Sequence, residues 1–481
     1  MVQIIRLSGT FLCCNKNKIK RKSIEETMKE LDLTQGSVPK VLLLFAVPFL
    51  IANVLQALYG GADLFVVGQY DDSASVAAVA IGSQVMQTIT GIILGITTGT
   101  TVLIAIATGA KDNRKVAFTI GSSVWLFSIT GVVLTLVMVL FHGQIAELMH
   151  TPVEAMADTK NYILVCSLGI LFIVGYNVVC GILRGLGDSK TPLYFVGLAC
   201  VINIVLDFIL VGYFHWGATG AAIATISAQG VSFGIALWFL YRHGFSFDFS
   251  RKDIRLNRNL SKKIMVLGAP IALQDALINV SFLIITVIVN QMGVIASASL
   301  GVVEKIIVFA MLPPMAISSA VATMTAQNYG AGLIKRMNKC LASGIGIALV
   351  FGVSVCVYSQ FLPETLTAFF TKDAAVVAMA ADYLRGYSID CIVVSFVFCI
   401  NSYFSGQGNS LFPMIHSLIA TFLFRIPLSY WFSQIDSSSL FIMGFAPPIS
   451  TVVSLLICIW YLRYTQRKLY LRGTMMPAMS N

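Results

Sequence analysis

The chain is divided into apolar runs long enough to cross a bilayer. They fall near residues 38–70, 74–108, 116–141, 161–183, 191–214, 217–241, 264–291, 296–327, 338–363, 378–404, 411–433 and 440–463. About twenty apolar residues in helical form span the hydrocarbon layer. Water is absent there, so backbone polar groups must pair within the segment, and each run predicts a transmembrane helix. A β-barrel would instead show short alternating segments. Composition agrees, since 11% of the 481 residues are charged, against about 25% in soluble domains. The expected fold class is an all-α polytopic membrane protein with twelve transmembrane helices in two six-helix lobes related by an internal repeat.

The net charge of +10 does not imply nucleic acid as a partner. Basic residues follow the even-numbered spans, as at Lys111, Arg114 and Lys115, Arg184 and Lys190, and Lys335, Arg336 and Lys339. The positive-inside rule makes these loops, and both termini, cytoplasmic. The longest loop, 242–263, holds seven Lys and Arg residues. The ten cysteines lack metal-like CxxC spacing and most lie in apolar runs, which reads as buried small hydrophobes. The expected layout is a basic cytoplasmic tail (1–36), an N-terminal lobe (37–241), a cytoplasmic basic linker (242–260), a C-terminal lobe (261–465) and a cytoplasmic tail (466–481).

The two halves match at an offset of 221 residues. RGLGDSKTP (184–192) aligns with SGQGNSLFP (405–413), and NY (161–162) with DY (382–383), while Pro48 and Pro270 stand 222 apart. Such agreement predicts an internal duplication. Six spans separate equivalent points, so the repeats share one orientation, a common transporter plan. GLGDSKT superficially suggests a phosphate loop. A Walker A motif needs Gly directly before its Lys, whereas Ser189 precedes Lys190 here. Both copies read as tight cytoplasmic turns. No HExxH motif is present, so an enzyme is not expected, and the chain should need no cofactor.

Carboxylates inside apolar runs are costly and are functional candidates by default. Asp63 lies late in the first span, and Asp207 lies in the fifth with Asn203 one turn earlier on the same face. Each acid stands eight residues from the outer end of its span, roughly 12 Å at 1.5 Å per residue, so the two share a depth. Their counterparts in the second half are apolar: Ile284 or Ile285 for Asp63, Phe424 for Asn203 and Leu428 for Asp207. The acids belong to one lobe, which suggests a specialised ion site. The competing reading is a helix cap or a satisfied interhelical hydrogen bond. Asp275, Glu304, Lys305, Arg385, Asp390 and Arg425 are also intramembrane charges, and for them pairing or snorkelling is expected.

The sequence resembles the MATE (multidrug and toxic compound extrusion) family over roughly 37–465. The residues that carry this are VPFLIANVLQALYGGADLFVVG, CGILRGLGDSKTP, NIVLD, GATGAAIATISAQ, VEKIIVFAMLPP and AQNYGAG, in this order and spacing. The resemblance implies a secondary active efflux antiporter that exports organic cations in exchange for H+ or Na+. It assigns Asp63, Asn203 and Asp207 to cation or proton coupling, with Na+ as one possible occupant and no other metal. It makes Pro48 a hinge and places Gln56, Tyr162 and Thr225 at the substrate cavity. The pattern is closer to the DinF-type branch. The NorM-type branch has a glutamate in the seventh span, where PIALQDALINV has Ile278 and Asn279.

The expected partners are small amphipathic, cationic substrates and the lipid bilayer, with no nucleic acid, and the transporter is expected to be a monomer in the cell (plasma or inner) membrane. A rival reading is a flippase or exporter of a lipid-linked sugar or other amphipathic metabolite.

Overall fold

The computed structural model describes residues 31–435 and 439–474. The expected tail 1–36 therefore lies mostly outside the described residues, as do 475–481. The spans are labelled here α1 (Val38–Tyr70), α2 (Ser73–Gly109), α3 (Asn113–Leu148), α4 (Met156–Leu168 and Ile170–Leu186), α5 (Lys190–Asp207, continued by a π-helix Phe208–Tyr213), α6 (Gly217–His243), α7 (Arg258–Asn290), α8 (Val294–Gly330), α9 (Ile334–Phe361), α10 (Ala374–Gly406), α11 (Leu411–Ile419, a π-helix Ala420–Arg425, and Ile426–Ile435) and α12 (Ala446–Thr474). Among the described residues eleven helices are long and apolar enough to cross a membrane. The twelfth span is the pair Val153–Leu168 and Ile170–Leu186, bent by 48°. The bend falls at Gly169.

The helices start and stop for local reasons. Asp72 caps α2 by accepting from the Ser75 N–H at 2.8 Å, and Asp112 caps α3 by accepting from Lys115 N–H at 2.9 Å. These are ordinary N-caps that satisfy an orphan backbone donor. Gly187, at φ +102°, ends α4 in the left-handed region that glycine adopts without steric cost. Pro48 lies inside α1, which remains one continuous helix from Val38 to Tyr70.

The chain forms two compact units: residues 1–276 with 322–340 and 406–408, and residues 277–321 with 341–405 and 409–481. In the first, α2 is the central helix. It packs against α1, α3, both halves of α4, and α6. Its most apolar stretch is 56% buried, against 22% for α3, so α2 fills the core and α3 faces lipid. Small polar residues close its contacts: Thr101 donates to the Gly181 carbonyl of α4 at 3.0 Å. This is the expected membrane glue between helices. At the end of α2, Gly109 and Gly330 let two backbones touch. A Cβ on Gly109 would collide with the Gln327 carbonyl, and one on Gly330 with that of Ile106.

The second unit has its own core of Ile285, Leu300, Val303, Tyr383, Tyr387 and Leu440. His416 of this unit is also buried and bonds Asn401 Oδ1 and Ser454 Oγ, both at 2.8 Å. All eight cysteines among the described residues are buried thiols.

Candidate ion-coupling site

α1, α5 and α6 bring Asp63, Asn203, Asp207 and Thr225 into one buried cluster. Asp63 is 3% exposed, and Asn203 and Asp207 are 0% exposed. Thr225 Oγ1 donates to Asp63 Oδ2 at 3.0 Å, and Asn203 Nδ2 donates to Thr225 Oγ1 at 3.4 Å. Asp207 stands within electrostatic reach of Asp63. The shared depth expected of the two acids agrees with their proximity.

The donors run out before the acceptors do. Asp63 Oδ1, Asn203 Oδ1 and both Asp207 carboxylate oxygens are buried without a hydrogen-bond donor. Buried acceptors of this kind are costly unless something positive faces them. Four such oxygens in one place suit a proton on a carboxylate or a hard monovalent cation, both of which prefer oxygen. The simple interhelical hydrogen bond that competed with an ion site accounts for Asp63 Oδ2 alone.

The other expected residues divide. Tyr162 is 2% exposed and bonds Ser83 at 3.2 Å. Ser83 gives its own hydrogen to the Val79 carbonyl at 2.6 Å, so the Tyr162 hydroxyl is the donor. Tyr162 lies near Asp63. Gln56 is exposed and sits two turns away from Asp63 along α1. Two residues were missed from sequence: Ser83, and Tyr59, which neighbours both acids. Tyr59 precedes Asp63 by one helical turn, a spacing that could have found it. A further sign was missed. The π-helix Phe208–Tyr213 begins immediately after Asp207, and π-turns recur at functional sites.

Known proteins agree with this architecture. The MatE family profile matches residues 48–209 and again 270–431. The chain belongs to the MatE family. It is a multi-pass membrane transporter of the multidrug-extrusion type and not an enzyme, with the fold of two six-helix lobes related by an internal repeat. The two matches begin at Pro48 and Pro270, the same pair that marks the duplication. The "Probable multidrug resistance protein YpnP" of Bacillus subtilis is 29% identical over 84% of this chain and 91% of its own length. The "Probable multidrug resistance protein NorM" of Thermotoga maritima is 27% identical over 86% and 88%. A crystal structure of "MATE in the straight conformation" superposes with a TM-score of 0.86 at 24% identity, covering 92% of this chain and 99% of that one.

The MatE repeat also shows what the second half lacks. Ile285, at the place of Asp63, is 2% exposed in an apolar core. That half has charges of its own. Arg425, which closes the second π-helix, places its guanidinium 4.4 Å from the Phe282 ring centroid. Arg385 is paired with Glu364 at 2.8 Å and Asp382 at 3.1 Å. Glu304 is half-buried, while Lys305 and Asp275 are exposed. Asp390 is 4% exposed, with one oxygen lacking a donor.

Proposed function

We propose that this MatE transporter exports small amphipathic organic cations in exchange for H+ or Na+ bound at Asp63, Asn203 and Asp207. The observation that carries the reading is the set of four buried acceptor oxygens without donors in the α1–α5–α6 cluster. Two carboxylates side by side in a low dielectric cannot both be ionised cheaply. An entering proton or Na+ relieves that repulsion. A cationic drug is drawn by the same negative charge, so ion and drug compete for the lobe. Neutralising the pair removes the reason for α1 to hold its straight course. Pro48, which donates no backbone hydrogen bond and is inside α1, is then the place where that helix bends. The names of the relatives, which concern multidrug resistance, support this class of substrate.

Tyr162 and Gln56 serve the drug side of the lobe, and Thr225 serves both sides through its bond to Asp63. The orientation follows from charge: the linker 242–260 and both tails, 1–36 and 466–481, face the cytoplasm, the two lobes are 37–241 and 261–465, and the monomer resides in the plasma or inner membrane. The branch is DinF-type, since the coupling acids sit in the first lobe. Exchange of one H+ for one monovalent cation moves no net charge. A second ion would add about 2.3 kcal/mol per 100 mV of membrane potential.

The test is ethidium transport by purified protein in liposomes, with ΔpH and ΔNa+ imposed separately. One of the two gradients should drive accumulation, and Asp207→Asn should abolish it at equal protein level. Normal transport by Asp207→Asn would overturn the mechanism.

A further inference from the structure

We infer that residues 31–36 form a clasp that fixes the foot of α1 to the ends of α4 and α8, so that α1 can hinge only above it. This deepens the proposed function, because it rests on α1 bending at Pro48.

The segment enters in a self-made turn. The Thr34 N–H and hydroxyl both donate to Asp32 Oδ1, at 2.9 and 2.5 Å, and the Gln35 N–H donates to the Asp32 carbonyl at 3.3 Å. Pro39 then opens α1. Leu33 between them is 0% exposed. A connecting segment running along the surface would ordinarily leave its carbonyls to water. Here they are taken by side chains distant in the chain. Asn328 Nδ2 donates to the Leu33 carbonyl at 3.2 Å. The guanidinium of Arg336 reaches three carbonyls: Gly36 at 2.6 Å, Gln35 at 2.5 Å and Leu33 at 3.4 Å. A planar fork with five donors is suited to this, and an ammonium is not.

The same place receives α4. Gln327 Nε2 donates to the Gly185 carbonyl at 3.1 Å. A Cβ on Gly187 would come 2.7 Å from the Leu31 carbonyl. Gln327 and Asn328 are 2% and 0% exposed. RGLGDS, which reads as a tight turn, and AQNYGAG, quoted for the family resemblance, therefore meet around one short segment. Buried amides at the end of a span are costly unless satisfied, and here each donates to a carbonyl.

The consequence is mechanical. Ten residues of α1 separate the clasp from Pro48. With Leu33, Gln35 and Gly36 held, the segment below Pro48 stays with α4 and α8, and the segment bearing Asp63 is the part free to swing. Releasing the clasp would let the whole helix shift, and movement at Asp63 would no longer be tied to ion binding.

The test uses full-length Arg336→Ala in liposomes, read in two ways. Amide hydrogen exchange should speed up at least tenfold over residues 33–45. Ethidium transport per turnover of ions should fall at least threefold, with ion leak in the absence of drug. Arg336→Lys retains the charge and should show the same defect in weaker form, and it decides the matter if the alanine variant does not fold. Unchanged exchange in both variants would overturn the clasp. Faster exchange with normal coupling would overturn its mechanical role. Neither outcome bears on Asp207→Asn, so failure here leaves the proposed antiport standing.

Discussion

Thr225 of α6 donates its hydroxyl hydrogen to Asp63 of α1 across 3.0 Å, joining residues 162 apart in the chain. Hydrogen bonds to charged groups contribute about 1.5–3 kcal/mol. Thr225→Val keeps the shape and removes the donor. It should lower ethidium transport about tenfold, since each 1.4 kcal/mol is a factor of ten. Thr225→Ser should retain most of the activity. The measurement is initial efflux rate at matched protein level, and a Val variant as fast as the parent would show that this bond does not hold the coupling acid.

The contact of Gly109 with Gln327 is a backbone-to-backbone approach with no room for a methyl group. Gly109→Ala should destabilise the protein by about 1–3 kcal/mol through overpacking. Gly346 has nothing within 4 Å of an added Cβ, so Gly346→Ala should leave the thermal midpoint within a degree or two, or raise it, because alanine favours the helix by about 1 kcal/mol. Melting in one detergent compares the three proteins. Equal midpoints would mean that the two chain segments can part at no cost.

Much of the fold was legible because hydrocarbon permits so few structures. The first span was expected at 38–70 and is Val38–Tyr70. The third was expected at 116–141 and runs from Asn113 to Leu148. Its ends lie beyond the apolar run, where hydropathy says nothing and the Asp112 cap decides. Asp63 and Asp207 were legible because a carboxylate in an apolar run has no cheap explanation. The place of Thr225 between Asp63 and Asn203 was not. Threonine is common in membrane helices, and a bond between α6 and α1 depends on a packing angle that one sequence does not display. The two π-helices are equally silent in sequence, since they arise from the fit of α5 and α11 to their neighbours. Buried Gln327 and Asn328 could be read only as part of a motif until residue 33 came to meet them.

Arg425 presents its guanidinium to the face of Phe282 at 4.4 Å. Cation–π contacts contribute about 0.5–2 kcal/mol, most when desolvated, and Arg425 is half-buried with its Nε lacking an acceptor. Phe282→Leu keeps the apolar bulk and loses the ring. It should destabilise the second unit by about 1 kcal/mol, while Phe282→Trp should be neutral or stabilising where it fits. Chemical denaturation reports the change, and a leucine variant of unaltered stability would show that the arginine gains nothing from the ring.

Asp63 and Asp207 should behave as one unit, because the occupant answers to both. Asp63→Asn and Asp207→Asn each remove half of the negative charge that attracts the ion. If the pair shares one proton or one Na+, either change alone already breaks the exchange. Residues acting as a unit are strongly non-additive, so the double variant should transport no more slowly than the worse single one, with an interaction energy of about 1–3 kcal/mol in a double-mutant cycle. Two independent sites would instead multiply their losses. The cycle is measured as ethidium counterflow in liposomes under the driving ion gradient, with the thermal midpoints of all four proteins as the control for folding. Strict multiplication of the two single losses would separate the acids into different tasks and end the shared-site reading.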